Sequence, residues 1–173
     1  MNRDELIELA RLIPGYDPFA TAGGCYFDDR EADRRIRFIE TCCTHVKGEL
    51  AKNREKLLLA THEKAFVANL FGWKRPDKTR RYREALYFIP RKNNKSTLCA
   101  AIANCVLFMD QEYGAECYIA AADRDQASLL YSIAEDMVLN EPDMEKRVKI
   151  YATSKTILHK AKRSSLKAIS AEA

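Results

Sequence analysis

The chain has 173 residues, of which 47% are hydrophobic and 31% charged, with a formal net charge of +4. That length suits one domain with a real core, and the composition is that of a globular protein rather than a disordered chain. No apolar run approaches the ~18 residues that span a bilayer, and residues 1–14 mix acids and bases without an apolar stretch, so neither a membrane partner nor a signal peptide is expected.

Asn2 followed by Glu5 forms a capping-box pattern, and Leu6, Leu9, Ala10 and Ile13 recur at helical spacing until Pro14-Gly15 ends the segment. Residues 15–27 read as loop. A second helix is predicted from about Asp29 to Val46, with Ile36, Ile39, Cys43 and Val46 on one side and Gly48 near its end. Cys42, Cys43 and His45 cluster here, but neighbouring helical residues point different ways. None of the six cysteines shows zinc-knuckle spacing, so they read as reduced thiols acting as small hydrophobes. A third helix starts near Thr61 and carries Phe66, Val67, Leu70 and Phe71 up to Gly72.

Residues 74–95 then hold nine Lys/Arg against Asp77 and Glu84, a local charge of +7 that leaves the remainder at −3. Such a block suggests an anionic partner at one place. Within it, residues 74–83 read as a basic surface loop. Ala85-Leu86-Tyr87-Phe88-Ile89 is a continuous apolar run of strand length, as in a buried parallel strand. After a turn at 90–94, a helix from Lys95 places Leu98, Ala101, Ile102, Cys105, Val106 and Met109 on one stripe. Residues 117–121 are predicted as a second buried strand. Asp123 with Gln126 caps a helix carrying Leu130, Ile133, Ala134, Met137 and Val138, which stops at Asn140-Glu141-Pro142. Strand, helix, strand, helix is the pattern of a parallel α/β sheet. Short strands are candidates at 148–151, 156–159 and 166–169.

The strand-to-helix turn, Ile89-Pro90-Arg91-Lys92-Asn93-Asn94-Lys95-Ser96-Thr97, matches the Lys-Ser end of GxxxxGK[ST] and fails at both glycines. The physics survives without them. A helix N-terminus attracts anions through its free N–H groups and dipole. Asn enters the left-handed region readily, so Asn94 can serve where the last glycine stands. Lys95 would reach the terminal phosphates, and Ser96 would offer its hydroxyl to Mg²⁺.

Residues 88–96 resemble the Walker A variant of large terminase subunits, the DNA-packaging ATPases of tailed bacteriophages and prophages. Tyr118-Ile119-Ala120-Ala121-Ala122-Asp123-Arg124-Asp125-Gln126-Ala127 is similar to that family's next strand–helix junction. Phe38-Ile39-Glu40, Val46-Lys47-Gly48-Glu49-Leu50 and Asn69-Leu70-Phe71-Gly72-Trp73 resemble its N-terminal helical lead-in. The resemblance implies a P-loop NTPase-type α/β fold with a parallel sheet, with residues 1–84 as lead-in and 85–173 as part of the ATPase core. It implies ATP and Mg²⁺ at Arg91, Lys92, Asn93, Asn94, Lys95, Ser96 and Thr97, with Ser96 on the metal. Arg91 and Lys95 would be the catalytic cations, Arg91 stabilising charge on the transferred phosphoryl group. Where the family carries a glutamine against adenine, this chain has His62 and Glu63, and an ionised Glu63 accepts hydrogen bonds without donating one.

The implied partners are double-stranded DNA, the small terminase subunit, the portal of the procapsid and further copies of the chain, in the bacterial host cytoplasm. An apolar strand ending in the Walker B carboxylates is not found after Ser96, and Glu135-Asp136 falls inside a predicted helix. The expectation is therefore a chain that stops before Walker B and is inactive alone. An inactive prophage remnant and a helicase-like P-loop ATPase stand as alternatives.

Overall fold

The computed structural model describes residues 1–91 and 93–170; the expectation for Lys92 lies outside the described residues. In chain order the first elements are α1 (Arg3–Ala10), β1 (Tyr26–Phe27), α2 (Asp29–Cys42), α3 (Glu49–Lys52), α4 (Thr61–Gly72) and β2 (Trp73–Lys74). After them come α5 (Lys95–Met109), β3 (Glu116–Ala121), α6 (Arg124–Asn140), α7 (Pro142–Glu145), β4 (Val148–Tyr151), β5 (Thr156–His159) and β6 (Ser165–Ser170). They form two compact units, one of Met1–Glu40 with Leu58–Phe88, the other of Thr41–Leu57 with the chain from Ile89 on. Among the described residues, no helix is long and apolar enough to cross a membrane.

In the first unit, α1 begins as its sequence requires. The Asn2 side chain accepts from the Glu5 N–H at 2.8 Å, and the Glu5 carboxylate accepts from the Asn2 N–H at 2.9 Å. Leu6, Leu9 and Ala10 are buried, and α1 packs on α4. A buried amide joins them: Asn69 Nδ2 donates to the carbonyls of Ala10 and Ala65, both at 2.9 Å, and Asn69 Oδ1 accepts from Trp73 Nε1 at 3.0 Å. The indole therefore brings its N–H into the core already satisfied. Trp73 lies against Phe19 and Phe27, with ring centroids 4.9 and 5.6 Å away. The Phe27 ring comes so close to Gly72 that a Cβ there would meet it at 2.6 Å, so only glycine closes α4 at this point.

The basic loop 74–83 is not uniformly surface charge. Arg81 sets its guanidinium 4.7 Å over the Trp73 ring and donates to the carbonyls of Pro18 (2.8 Å) and Thr21. Arg80 lies 5.7 Å from the Phe71 centroid. These two arginines fasten the loop, while Lys78 and Arg83 are exposed. Replacing Arg81 by Ala removes carbonyl hydrogen bonds and a cation–π contact. We expect a loss of about 1–3 kcal/mol. Urea unfolding followed by the fluorescence of Trp73, the single tryptophan, measures it directly.

Two segments at the junctions between the units in sequence depart from expectation. α2 ends at Cys42 instead of running to Val46. Beyond it the backbone finds partners further along the chain: His45 N–H bonds Glu55 O at 2.9 Å and Leu57 N–H bonds Cys43 O at 3.0 Å. Gly48, at φ 77°, precedes the short α3 rather than closing α2. The run 85–89, expected as a buried strand, is in no sheet, and Leu86 and Phe88 are 87% and 89% exposed. A strand needs a neighbour for its N–H and C=O groups, and no described strand lies beside this one.

The remaining elements form the α/β body. The sheet order is β3-β6-β5-β4, with β3 and β6 parallel and the β4–β5 and β5–β6 pairs antiparallel. The sheet is mixed because the short connections after β4 and β5 cannot make a parallel crossover. α5 and α6 pack together, and the fully buried Asn104 donates from Nδ2 to the Ala134 carbonyl at 2.9 Å. Cys43 and Cys105 are buried, and burial pushes the Cys43 thiol well up, as befits a small core hydrophobe. Lys162 caps the end of α5 by donating to the carbonyls of Phe108 (2.6 Å) and Asp110 (2.7 Å).

His159 is buried beside that cap, its ring 5.5 Å from Phe108 and its Nδ1 accepting from the Lys162 N–H at 3.3 Å. Burial, then the charges of Lys162 and Arg147, hold its imidazole below the usual value. A depressed value means that the fold prefers neutral His159. Its stabilisation is present above the ordinary imidazole value of about 6.5 and is lost as pH falls through the lower folded value. Urea midpoints at pH 7.5 and 5.5 should differ less in His159→Gln than in the wild type. An unchanged difference would contradict this account.

Candidate phosphate-binding site

All the features of the candidate site lie in the second unit. The turn before α5 is built by two asparagines. Asn93 Nδ2 donates to the Pro90 carbonyl at 3.3 Å, bracing the turn. Asn94 stands at φ 56°, ψ 15°, in the left-handed region, and occupies the N-cap of α5 without a side-chain cap bond. The turn chemistry needs a residue tolerant of positive φ at this point, and asparagine supplies it. The Asn94 carbonyl accepts the Leu98 N–H at 3.0 Å, the first bond of the helix.

A cavity of about 330 Å³ opens on this turn. Arg91, Asn94, Lys95, Ser96 and Thr97 line it from the loop and the first turn of α5. Leu129 and Ile133 of α6 form an apolar wall. Lys47 lines it as well, from the segment before α3. Among the described residues the lining thus carries three cations and no carboxylate, at the N-terminal end of a 15-residue helix. Both the side chains and the helix dipole favour an anion there. Lys95 Nζ donates weakly to the Ile89 carbonyl at 3.4 Å, and Lys95 is exposed, so the ammonium is free to turn towards a ligand. The half-buried Cys99 thiol behind it is raised by burial, against the pull of Lys95.

Of the residues singled out in the sequence, Arg91, Asn94, Lys95, Ser96 and Thr97 come together in this cavity, and Asn93 braces its loop. Glu63 belongs to the first unit. There it is buried, and its carboxylate accepts from the Ala60 N–H at 2.9 Å, capping α4. Lys47 was missed as a site residue because it lies more than forty positions before the loop, and its only sequence signal is its place in the family-like segment 46–50. For Mg²⁺ the described lining offers neutral oxygens, among them the hydroxyls of Ser96 and Thr97, and no carboxylate, so it fits phosphate oxygens better than a bare divalent cation. No cluster of three His, Cys, Asp or Glu able to hold a metal occurs among the described residues. Glu135 and Asp136 lie within α6. Burial raises both carboxyls, while Tyr131 and Lys47 respectively pull them down.

Residues 61–172 match the family model described as "Terminase large subunit, ATPase domain". The chain belongs to the terminase large subunit family. No curated protein matches it. Among solved structures, the large terminase of bacteriophage HK97 is similar at a TM-score of 0.70 and 26% identity over 82% of this chain. That alignment covers 28% of the HK97 protein, so this chain corresponds to well under half of that terminase. The mixed α/β fold of the chain matches that of a terminase ATPase domain.

The left-handed Asn94 gives a direct test of the loop. Asn94→Gly should leave phosphate-analogue binding unchanged or tighter. Asn94→Val should weaken it, because a β-branched residue pays about 1–2 kcal/mol in that region. Titration with a fluorescent ATP analogue, alongside circular dichroism, reads both effects. Equal affinity of the two variants would show that the turn does not need positive φ.

Proposed function

We propose that the chain binds the triphosphate of ATP in the cavity at the start of α5 and is part of the motor ATPase of a phage or prophage DNA-packaging terminase. The observation that carries this reading is the convergence of Lys47, Arg91 and Lys95 with the Ser96 hydroxyl on one cavity at a helix N-terminus that no acid lines among the described residues. The family match supports the nucleotide as ligand.

In this reading Lys95 meets the terminal phosphates as the helix begins, and the N–H groups of the turn bond the remaining phosphate oxygens. Arg91 contributes most where charge spreads on the transferred phosphoryl group, so it acts on turnover more than on binding. Ser96 would hold Mg²⁺, with Lys92 and Thr97 as further contacts. Mg²⁺, if held there, would supply positive charge to neutralise the phosphates. Lys47 adds a cation from outside the loop. Glu63 as an adenine contact is a weaker part of the proposal, since its carboxylate caps α4. In the assembled motor, hydrolysis would drive double-stranded DNA into a procapsid, with the small subunit, the portal and further copies as partners in the host cytoplasm.

Lys95→Ala should lower the affinity for a fluorescent ATP analogue by at least about tenfold, the loss of one charge-assisted contact. Lys47→Ala should lower it by less, about threefold, and both should keep the wild-type circular dichroism. Binding of Lys95→Ala at wild-type strength would end the phosphate-loop assignment.

A further inference from the structure

A second polar pocket of about 200 Å³ lies in the same unit, between the first turns of α6, the β4–β5 turn and the end of β6. It shares no residue with the cavity at α5, so its chemistry stands independently of ATP binding there. Among the described residues, its charged lining is Arg124 and Lys155, and its hydroxyls come from Ser128, Thr153 and Ser154.

Three observations give this pocket a ligand chemistry. Neither Arg124 nor Lys155 has a carboxylate partner among the described residues. The acid beside Arg124, Asp123, is engaged: its carboxylate accepts from the Asp125 N–H at 2.8 Å as the cap of α6. The Lys155 ammonium is nevertheless held in place. It donates to the Ser128 hydroxyl, which itself donates to the Arg124 carbonyl at 2.6 Å. A hydrogen-bond chain thus points one cation at the helix turn that carries the other.

The backbone adds to this. The four-residue turn Ala152–Lys155 is closed by Lys155 N–H to Ala152 O at 3.2 Å, and Lys155 sits at φ 44°. Glycine takes such a position freely, whereas a lysine there carries a conformational cost. Two cations set on one small pocket repel each other unless an anion lies between them. A guanidinium fork, an ammonium and nearby hydroxyl donors suit a tetrahedral oxyanion, whose oxygens accept from several directions at once.

We propose that Arg124 and Lys155, with the hydroxyl of Thr153, form a second phosphate-binding site in which Ser128 positions the Lys155 ammonium. The phosphate can be a free ion or a diester of nucleic-acid backbone, and the two sources are separable. The test uses the full chain carrying Lys95→Ala, which silences the loop at α5. Into it go Arg124→Ala and, separately, Lys155→Gly, which keeps the left-handed turn. One arm follows inorganic phosphate by ³¹P line broadening. The other follows a short DNA duplex by fluorescence anisotropy across a salt series.

Each substitution should weaken phosphate binding by about tenfold. If the backbone is the source, each should also weaken duplex binding and flatten the log–log salt slope by about 0.9. Loss confined to the phosphate arm assigns the site to a free phosphate. If neither arm moves by more than about twofold while circular dichroism stays native, the site does not exist.

Discussion

One buried amide sets the register on which the candidate site depends. Asn104, in the middle of α5, donates to the Ala134 carbonyl in the middle of α6. α5 carries the candidate phosphate loop at its start, and α6 supplies the wall of Leu129 and Ile133. A slide of either helix by a turn would separate the two and would leave a polar group of Asn104 in the core. Its Oδ1 already has no partner among the described residues, so the amide has no spare bond to lose. A single wrongly paired amide is costly in a low-dielectric interior, which makes such a bond a sharp register mark.

The same logic of satisfied polar groups governs the other ends of these helices. Lys162 occupies the carbonyls at the end of α5, and Asp123 accepts from an N–H at the start of α6. In the first unit Asn69 serves Ala10, Ala65 and Trp73 together. Each tie is local in space, yet several span long stretches of sequence. The site is held by a scaffold whose polar joints are few and specific.

That distinction explains what could be read in the sequence. Capping at Asn2 and Asp123, the αL turn at Asn94 and most of the buried face of α6 rest on residues within a turn or two of each other, and these are present. The stripe of α5 holds at Leu98, Ala101 and Cys105, but Ile102, Val106 and Met109 are half-buried while Ala100, Asn104 and Leu107 are buried. The predicted strand at 85–89 fails for a different reason. Its apolar run is real, but a strand is defined by a neighbour that lies elsewhere in sequence. α2 stops at Cys42 because residues 43–45 bond to 55–57, a pairing with no local signature. Arg81 read as solvated charge, since nothing near it in sequence announces Trp73 or the carbonyls of Pro18 and Thr21. Lys47 escaped as a site residue on the same ground. The loop was legible as chemistry; the far wall of its cavity was not.

The division of the chain into two interleaved units bears on how the polypeptide reaches this state. The chain passes between the units three times, after Glu40, Leu57 and Phe88. Residues 41–57 emerge from the ribosome before any of the α/β body to which they belong. They must wait for α5 and α6, while the first unit waits for residues 58–88 to close over α1. Contacts of such sequence separation slow folding and leave apolar surface open in the meantime. A single cleavage after Phe88 keeps the first unit on one fragment but strips residues 41–57 from the second. The segment that brings Lys47 to the candidate loop is thus the earliest synthesised part of the second unit, yet it has no partner there until α5 and α6 have followed it.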